Sequence, residues 1–218
     1  MRLALSDNGN RAEWQTARRA YDLLAEGFGP GFNGPLQLVA EVPAGTSNET
    51  LTRIADAVDA DPDVVFVSPA VPAPNNLVIW KVVQRESPQA EGTAELVHRL
   101  RDEVLPPAIG DSGVVVNVGG FTAIGVDLSD YFGRRVFLFV GAVLLLSFLL
   151  LMAVFRSLLV PLKAVIMNLL SIGAAYGIVV AIFQWGWAAD LFGIGAAGPI
   201  DPFIPMMLFA IVFGLSMD

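Results

Sequence analysis

The stretch Val136–Phe155 reads VFLFVGAVLLLSFLLLMAVF, which is 20 consecutive residues without a charge. A helix of about 20 apolar residues is what a hydrocarbon core about 30 Å thick requires. Arg134 and Arg135 flank the stretch on one side, and Arg156 flanks it on the other. Because soluble helices rarely stay uncharged over this length, the stretch predicts a membrane span over residues 136–155.

A second uncharged run, Ala164–Trp187, follows the short turn RSLLVPLK at Arg156–Lys163. Pro161 lies where a new helix could begin, so we predict a second span over about residues 160–184. Both sides of the first span carry basic residues. The positive-inside rule therefore does not decide the orientation of the chain.

A third apolar run, FIPMMLFAIVFGLSM, occupies residues 203–217 and leads to Asp218. We expect Asp201 to cap this helix, with Pro202 at its first position. Fifteen helical residues measure only about 22 Å, which is short for an untilted span. The third span, over residues 203–218, is therefore predicted to be truncated, and the chain to be a fragment of a larger protein.

Polar and small residues inside these runs are the candidate intramembrane site. A charged carboxylate such as Asp218 within a membrane costs at least about 2.5–3.5 kcal/mol, and such residues mainly serve ion pathways and relays. Asn168, Ser171 and Ser216 are possible intramembrane polar partners. Gly173 and Gly177 have the spacing that lets two helices approach closely in lipid.

The first 135 residues have a different composition. The chain has 13 basic and 21 acidic residues, and residues 1–130 hold 18 of the acids but only 9 of the bases. Nucleic-acid binding needs a positive surface, so this composition argues against it. The chain has no cysteine and a single histidine, His98, so we expect no metal site. Gly119-Gly120 lacks the spacing of a phosphate loop, and we expect no cofactor.

Hydrophobic periodicity divides residues 1–133 into helices and strands. After a first helix, Ala12–Glu26, the order is β-α-β-β-α-β, which is the ferredoxin-like arrangement of an α+β domain. The apolar stripe of the first helix consists of Trp14, Ala17, Tyr21, Leu24 and Phe28. The predicted strands are Leu36–Val42, Val64–Ser68, Asn76–Val83 and Val114–Val118, and the two intervening helices lie within Thr46–Ala60 and Gly92–Leu105. Pro72 and Pro74 mark a turn, and Phe121–Tyr131 leads into the first span.

Three segments resemble MmpL-type transporters of the RND superfamily. They are FRSLLVPLKAVIMNLLSIGAAYG at Phe155–Gly177, DPFIPMMLFAIVFGLSMD at Asp201–Asp218 and GGFTAIGVDLSD at Gly119–Asp130. The resemblance extends over about residues 18–218 and is greater to the second half of such transporters. It implies an extracytoplasmic porter-type domain at residues 1–133, followed by a transmembrane domain at residues 134–218.

The resemblance also implies a role for the last residue. In these transporters an Asp-Tyr pair in the fourth helix of each half relays protons, and Asp218 matches the aspartate. The tyrosine would be the next residue. The partners implied are membrane lipids, a hydrophobic or lipid substrate and the missing other half of the transporter, with protons as the coupling ion. Arg156–Lys163 would face the cytoplasm.

The function expected from the resemblance is proton-driven export of lipids or other hydrophobic compounds across the cell membrane. Two alternatives share the architecture. One is a sterol-sensing-like receptor that binds lipid without transporting it, and the other is an accessory subunit of protein export. A membrane enzyme is the least favoured class, because the sequence contains no catalytic constellation. In the loop before the third span, Asp190 and Asp201 are expected to be solvated or to cap a helix.

Overall fold

The computed structural model describes residues 1–187 and 195–217, except for the side chains of Ser216 and Met217. The chain forms two compact units. The first, called the membrane unit here, comprises Met1–Ser6, Asn10–Ala12 and Leu128–Asp218. The second, called the domain unit, comprises Asp7–Gly9 and Glu13–Asp127.

The domain unit is built around an antiparallel sheet with the strand order β2-β4-β1-β5. A further short strand, β3, pairs with β4 outside this order. With two helices between the strands, the order is that of a ferredoxin-like domain, and the fold class predicted from the sequence is confirmed. The strands are β1 (Leu36–Glu41), β2 (Val64–Val67), β3 (Val71–Ala73), β4 (Leu77–Gln84) and β5 (Val115–Gly119).

One face of the sheet forms the core with the helices of the domain unit. Side chains alternate along a strand, so every second residue of β1 points into the core. Leu36, Leu38 and Ala40 are fully buried, and Trp80 and Val82 of the neighbouring strand β4 are buried with them. The register pairs Leu38 with Trp80 and Leu36 with Val82, which places large side chains directly opposite each other.

The helices of the domain unit differ in detail from the sequence prediction. The first, α1, is Thr16–Phe28 and begins later than expected. The single helix predicted over Gly92–Leu105 is instead α3, a π-helical turn and α4 in succession. The remaining bounds are α2 (Asn48–Asp59), α3 (Glu91–Arg99), the π-helical turn Leu100–Val104 and α4 (Leu105–Ile109), with 3₁₀ turns at Asn8–Asn10 and Pro30–Asn33.

In the apolar stripe of the first helix, Trp14, Leu24 and Phe28 are all exposed, whereas Ala17 and Tyr21 are half-buried. One sequence prediction about the strands is wrong. Pro72 does not lie in a turn: it is the middle residue of β3, paired with Val78 of β4. An edge strand tolerates proline because the missing N–H can point away from the ladder.

Helix α5 runs without interruption from Phe121 to Phe155, which is 35 residues. At 1.5 Å per residue its length is about 52 Å, well beyond the thickness of a hydrocarbon core. Its first turns belong to the domain unit, where Ala123 and Val126 are part of the core. The change from domain to predicted span therefore takes place within one helix.

Two further helices follow in the membrane unit. Helix α6 is Leu159–Val179 and continues into a π-helical turn at Val180–Gln184, and α7 is Ile204–Met217. By length and hydropathy, α5 and the combined helix Leu159–Gln184 could each cross a membrane. Helix α7 is apolar but has fewer residues over its described part than a span of the membrane needs.

Helix α7 does not begin where the sequence predicts. It starts at Ile204, so Pro205 and not Pro202 lies in its first turn. The backbone carbonyl of Asp201 accepts a hydrogen bond from the Ile204 amide at 3.0 Å. The carboxylate of Asp201 instead accepts a hydrogen bond from the amide of Ser6. The hydrogen bonds of the described residues place the Asp201 carboxylate on Ser6 and not on an amide of α7, so the predicted cap is wrong.

Candidate intramembrane site

One face of α6 carries the polar groups of the candidate site. Asn168, Ile172 and Tyr176 are spaced four residues apart, so they lie on one face of the helix. Asn168 is 5% exposed and Ile172 is also buried. The hydroxyl of Tyr176 donates a hydrogen bond to the backbone carbonyl of Pro205 in the first turn of α7, at 2.7 Å. This face of α6 is therefore directed towards α7.

Aromatic rings hold α7 against the first span. The ring of Phe209, which is 1% exposed, meets Phe139 of α5 edge-on at a centroid distance of 5.5 Å. It also stacks on Phe213, one helical turn further along α7, at 5.4 Å. Aromatic pairs of this kind stabilise a contact by about 0.5–1.5 kcal/mol beyond the area that they bury. The site thus has a polar side on α6 and an aromatic side on α5 and α7.

Tyr176 and Phe209 were not identified from the sequence. Tyr176 follows Asn168 by eight residues, so helical periodicity could have placed both polar groups on one face. Phe209 is one of 14 phenylalanines, and its pattern does not distinguish it from the others. Its burial depends on contacts between separate helices, which periodicity within one helix does not report.

The signature of the MMPL family matches residues 37–218, which include most of the domain unit and all of α5, α6 and α7. The chain belongs to the MMPL family. Family membership together with the two spanning helices makes it a multi-pass membrane protein.

Curated relatives in the MMPL family are much longer than this chain. Membrane protein YdfJ of Bacillus subtilis is 41% identical over 100% of the chain, which covers 30% of that protein. The mycolic acid-containing lipids exporter MmpL11 of Mycolicibacterium smegmatis is 32% identical over 92% of the chain, which covers 22% of that protein. The heme uptake protein MmpL11 of Mycobacterium tuberculosis H37Rv is 35% identical over 89% of the chain, which covers 20% of that protein.

A solved structure, that of the mycobacterial membrane protein MmpL11D2, also aligns with this MMPL chain. The alignment covers 39% of the chain and 100% of that structure, with 23% identity and a TM-score of 0.32.

The site residues predicted on α6 of this MMPL chain differ from one another in their exposure. Ser171, Gly173 and Gly177 are all exposed on α6. A Cβ added at either glycine would meet no atom within 4 Å among the described residues. Asn168 is the buried member of the set. Close helix packing at the two glycines and a relay role for the polar residues stay predictions.

Other predicted residues of the site lie outside the described part of the chain. Asp218 and Asp190 are not among the described residues, and the side chain of Ser216 is not described either. Helix α7 ends at Met217, so Asp218 is the next residue of the chain after a helix of 14 residues, about 21 Å long. The relay role of Asp218 stays a prediction.

The domain unit contains no comparable constellation among its described residues. No group of three or more His, Cys, Asp or Glu side chains that could hold a metal occurs in residues 1–187 and 195–217. His98 is half-buried on α3. One surface groove, of about 410 Å³, lies against α2 and the sheet, and its lining includes Leu51, Ala55, Pro69 and Trp80.

The domain unit contains an ion-paired cluster of one arginine and two aspartates. Arg99 binds Asp61 through two hydrogen bonds of 2.8 Å and also reaches Asp63 at 2.7 Å. The hydrogen bonds from Arg99 lower the pKa of Asp61, against the opposing effect of burial. The ion pair fixes the loop between α2 and β2 to α3, so it is structural and separate from the candidate intramembrane site.

Proposed function

We propose that this chain is part of a proton-driven membrane exporter of lipids or other hydrophobic compounds, with Asp218 in its proton relay. Membership of the MMPL family and the similarity to the lipid exporter MmpL11 of Mycolicibacterium smegmatis support an exporter. The domain at residues 1–133 lies on the extracytoplasmic side, where it passes substrate outward. The rest of the transporter, which the relatives' lengths imply, supplies the other half of the relay.

The observation that carries the proposal is the polar face of α6. A membrane helix rarely buries an amide unless the amide serves another polar group. Asn168 lies on the face of α6 that contacts α7, and α7 leads directly to Asp218. A carboxylate that gains and loses a proton within the membrane needs nearby polar groups in both of its states. Asn168 can supply them, because a side-chain amide both donates and accepts hydrogen bonds.

The test replaces Asp218 in the complete protein reconstituted in lipid vesicles. Asp218→Asn keeps the size and removes the titratable proton, so we expect it to abolish transport driven by a pH gradient. Asp218→Glu keeps the carboxyl group and should retain part of the activity. Transport of a fluorescent lipid and proton uptake are measured in the same vesicles. Undiminished proton-driven transport by the Asn variant would remove Asp218 from the mechanism.

The names of the relatives give two substrate classes to compare. One MmpL11 protein is named for lipid export and another for heme uptake. The same vesicles should therefore be loaded separately with lipid and with heme. We expect transport of the lipid and not of heme; transport of heme alone would contradict the substrate class. Binding of lipid with no transport under any gradient would instead support the receptor alternative.

A further inference from the structure

The first residues of the chain form a backbone ladder with the segment that precedes α7. Leu3 and Ile200 are paired in a parallel bridge. The Ala4 amide donates a hydrogen bond to the Ile200 carbonyl at 3.2 Å, and the Ile200 amide donates one to the Arg2 carbonyl at 3.0 Å. Ile200 is 3% exposed, so this ladder is partly shielded from solvent.

A side chain extends this ladder towards α7. The Ser6 amide donates a hydrogen bond to the Oδ1 atom of Asp201 at 3.0 Å. The Asp201 carbonyl accepts from the amide of Ile204, the first residue of α7. Asp201 thus binds the N-terminal segment with its side chain and the start of α7 with its backbone. We call residues 2–6, Ile200 and Asp201 together the N-terminal clasp.

The clasp also reaches the π-helical turn Val180–Gln184 that follows α6. The Arg2 amide donates a hydrogen bond to the Gln184 side-chain oxygen at 3.2 Å, and the Gln184 amide group donates one to the Arg2 carbonyl at 3.4 Å. Nearby, the Gly198 amide donates to the Phe183 carbonyl at 3.0 Å. The segment before α7 is therefore tied both to the chain's first residues and to the π-helical turn after α6.

Two glycines show independently how closely the N-terminal segment fits this region. A Cβ at Gly195 would lie 2.5 Å from the backbone nitrogen of Ala12. A Cβ at Gly198 would lie 2.1 Å from the side-chain nitrogen of Asn10. Contacts under 3.0 Å do not occur for real Cβ atoms, so a side chain at Gly195 would displace the backbone. The segment before α7 is shaped to receive residues 10–12 as well.

We propose that the N-terminal clasp is a positioning element that holds the start of α7 in place while the exporter transports its substrate. The inference rests on the proposed function, because α7 is the helix that leads to Asp218. Asp201 is the central positioning residue. The clasp stays closed through the transport cycle, so that α7 keeps its position beside the Asn168 face of α6.

The first experiment tests whether the clasp exists in the complete protein. This chain has no cysteine, so the pair Leu3→Cys and Ile200→Cys is unique within it, and any cysteines elsewhere in the protein are first replaced. Residues paired across a bridge have Cα atoms within the range that a disulfide spans. We expect oxidation to form the disulfide in membranes and to leave transport intact. Failure to form it, or loss of transport once it forms, would overturn the proposal.

The second experiment tests the role of Asp201. Asp201→Ala removes the acceptor of the Ser6 amide, whereas Asp201→Asn keeps the Oδ1 oxygen as the matched control. We expect the Ala variant to lower proton-driven transport roughly tenfold and the Asn variant to be close to wild type. Adding the oxidised Leu3→Cys/Ile200→Cys pair should restore transport to the Ala variant, and reduction should remove it again.

The outcomes separate this inference from the proposed function. Equal loss in the Ala and Asn variants would show that the charge of Asp201 matters and would overturn the positioning role. Unchanged transport in the Ala variant would overturn it too. Suppose that Asp218→Asn leaves transport intact while the disulfide still forms and restores transport to Asp201→Ala. The relay role of Asp218 would then be contradicted, and the positioning role of the clasp would be supported.

Discussion

The ion pair between Asp61 and Arg99 stabilises the domain unit, and no sequence pattern indicates it. Asp61 lies 38 positions before Arg99, and its side chain is 3% exposed whereas that of Arg99 is 28% exposed. Both oxygens of Asp61 accept hydrogen bonds from the guanidinium group. A buried carboxylate in this position is stable only while its partner is present, since removing one partner leaves an uncompensated polar group.

We expect Asp61→Ala to destabilise the domain unit by about 3 kcal/mol. Asp63→Ala is the matched control; the Asp63 side chain is 41% exposed, and we expect this change to cost less than about 1 kcal/mol. Hydrogen exchange of the β2 and α3 amides in the complete protein would measure both effects. Equal protection from hydrogen exchange in the two variants would contradict the prediction that the buried Asp61 contributes more to stability than the exposed Asp63.

The same pair predicts how stability depends on pH. The folded-state pKa of Asp61 is lowered, chiefly by the hydrogen bonds from Arg99. The ion pair therefore contributes fully to the free energy of unfolding when the pH is above about 3.9, the pKa of an aspartate in the unfolded chain. This contribution is lost as the pH falls through the lower pKa of Asp61 in the folded state. In Asp61→Ala this part of the acid dependence should be absent.

The sequence predicts elements better than it predicts contacts between them. The spans and strands carry strong periodic or apolar patterns, and the structure has helices or strands at each of them. The stripe of the predicted first helix is equally periodic, yet Trp14 and Phe28 are exposed. Periodicity reports that a face is apolar and not what covers it. For the same reason the bond between Tyr176 and Pro205, which joins two helices, could not be predicted.

A close approach between a 3₁₀ turn and strand β4 leaves no room for a side chain at position 31 of the domain unit. Gly31 lies in the 3₁₀ turn Pro30–Asn33, and a Cβ there would be 1.7 Å from the carbonyl oxygen of Gln84 at the end of β4. Nothing lies within 4 Å of a Cβ at Gly27, in α1. The two glycines are four residues apart but have opposite surroundings.

We therefore expect Gly31→Ala to destabilise the fold by more than about 3 kcal/mol, because backbone must move to admit the methyl group. Gly27→Ala should stabilise α1 by up to about 1 kcal/mol, since alanine is the better helix former. Expression and thermal unfolding of the complete protein in detergent would measure the contrast. A tolerated alanine at position 31 would show that the turn and β4 are further apart than the structure places them.

At the scale of the whole molecule, the order of the spans determines on which side of the membrane each loop lies once the side of one loop is known. Helix α5 and the combined helix Leu159–Gln184 are each long enough to cross, and the turn at residues 156–158 joins them. If both cross, this turn lies on the side of the membrane opposite to the domain unit. The charges near the spans do not decide which side is which, so the orientation that we propose, with the domain unit extracytoplasmic, needs its own experiment.

Cysteine labelling provides that experiment, because the chain has no cysteine of its own. Asp111→Cys places a thiol on an exposed loop between α4 and β5, and Ser157→Cys places one in the turn between the spans. In intact cells carrying the complete protein on a cysteine-free background, a membrane-impermeant maleimide should label position 111 and not position 157. Position 157 should react only after the cells are permeabilised. Labelling of position 157 alone in intact cells would show the opposite orientation to the one that we propose. In that orientation the domain unit of an exporter would receive the substrate and would not release it.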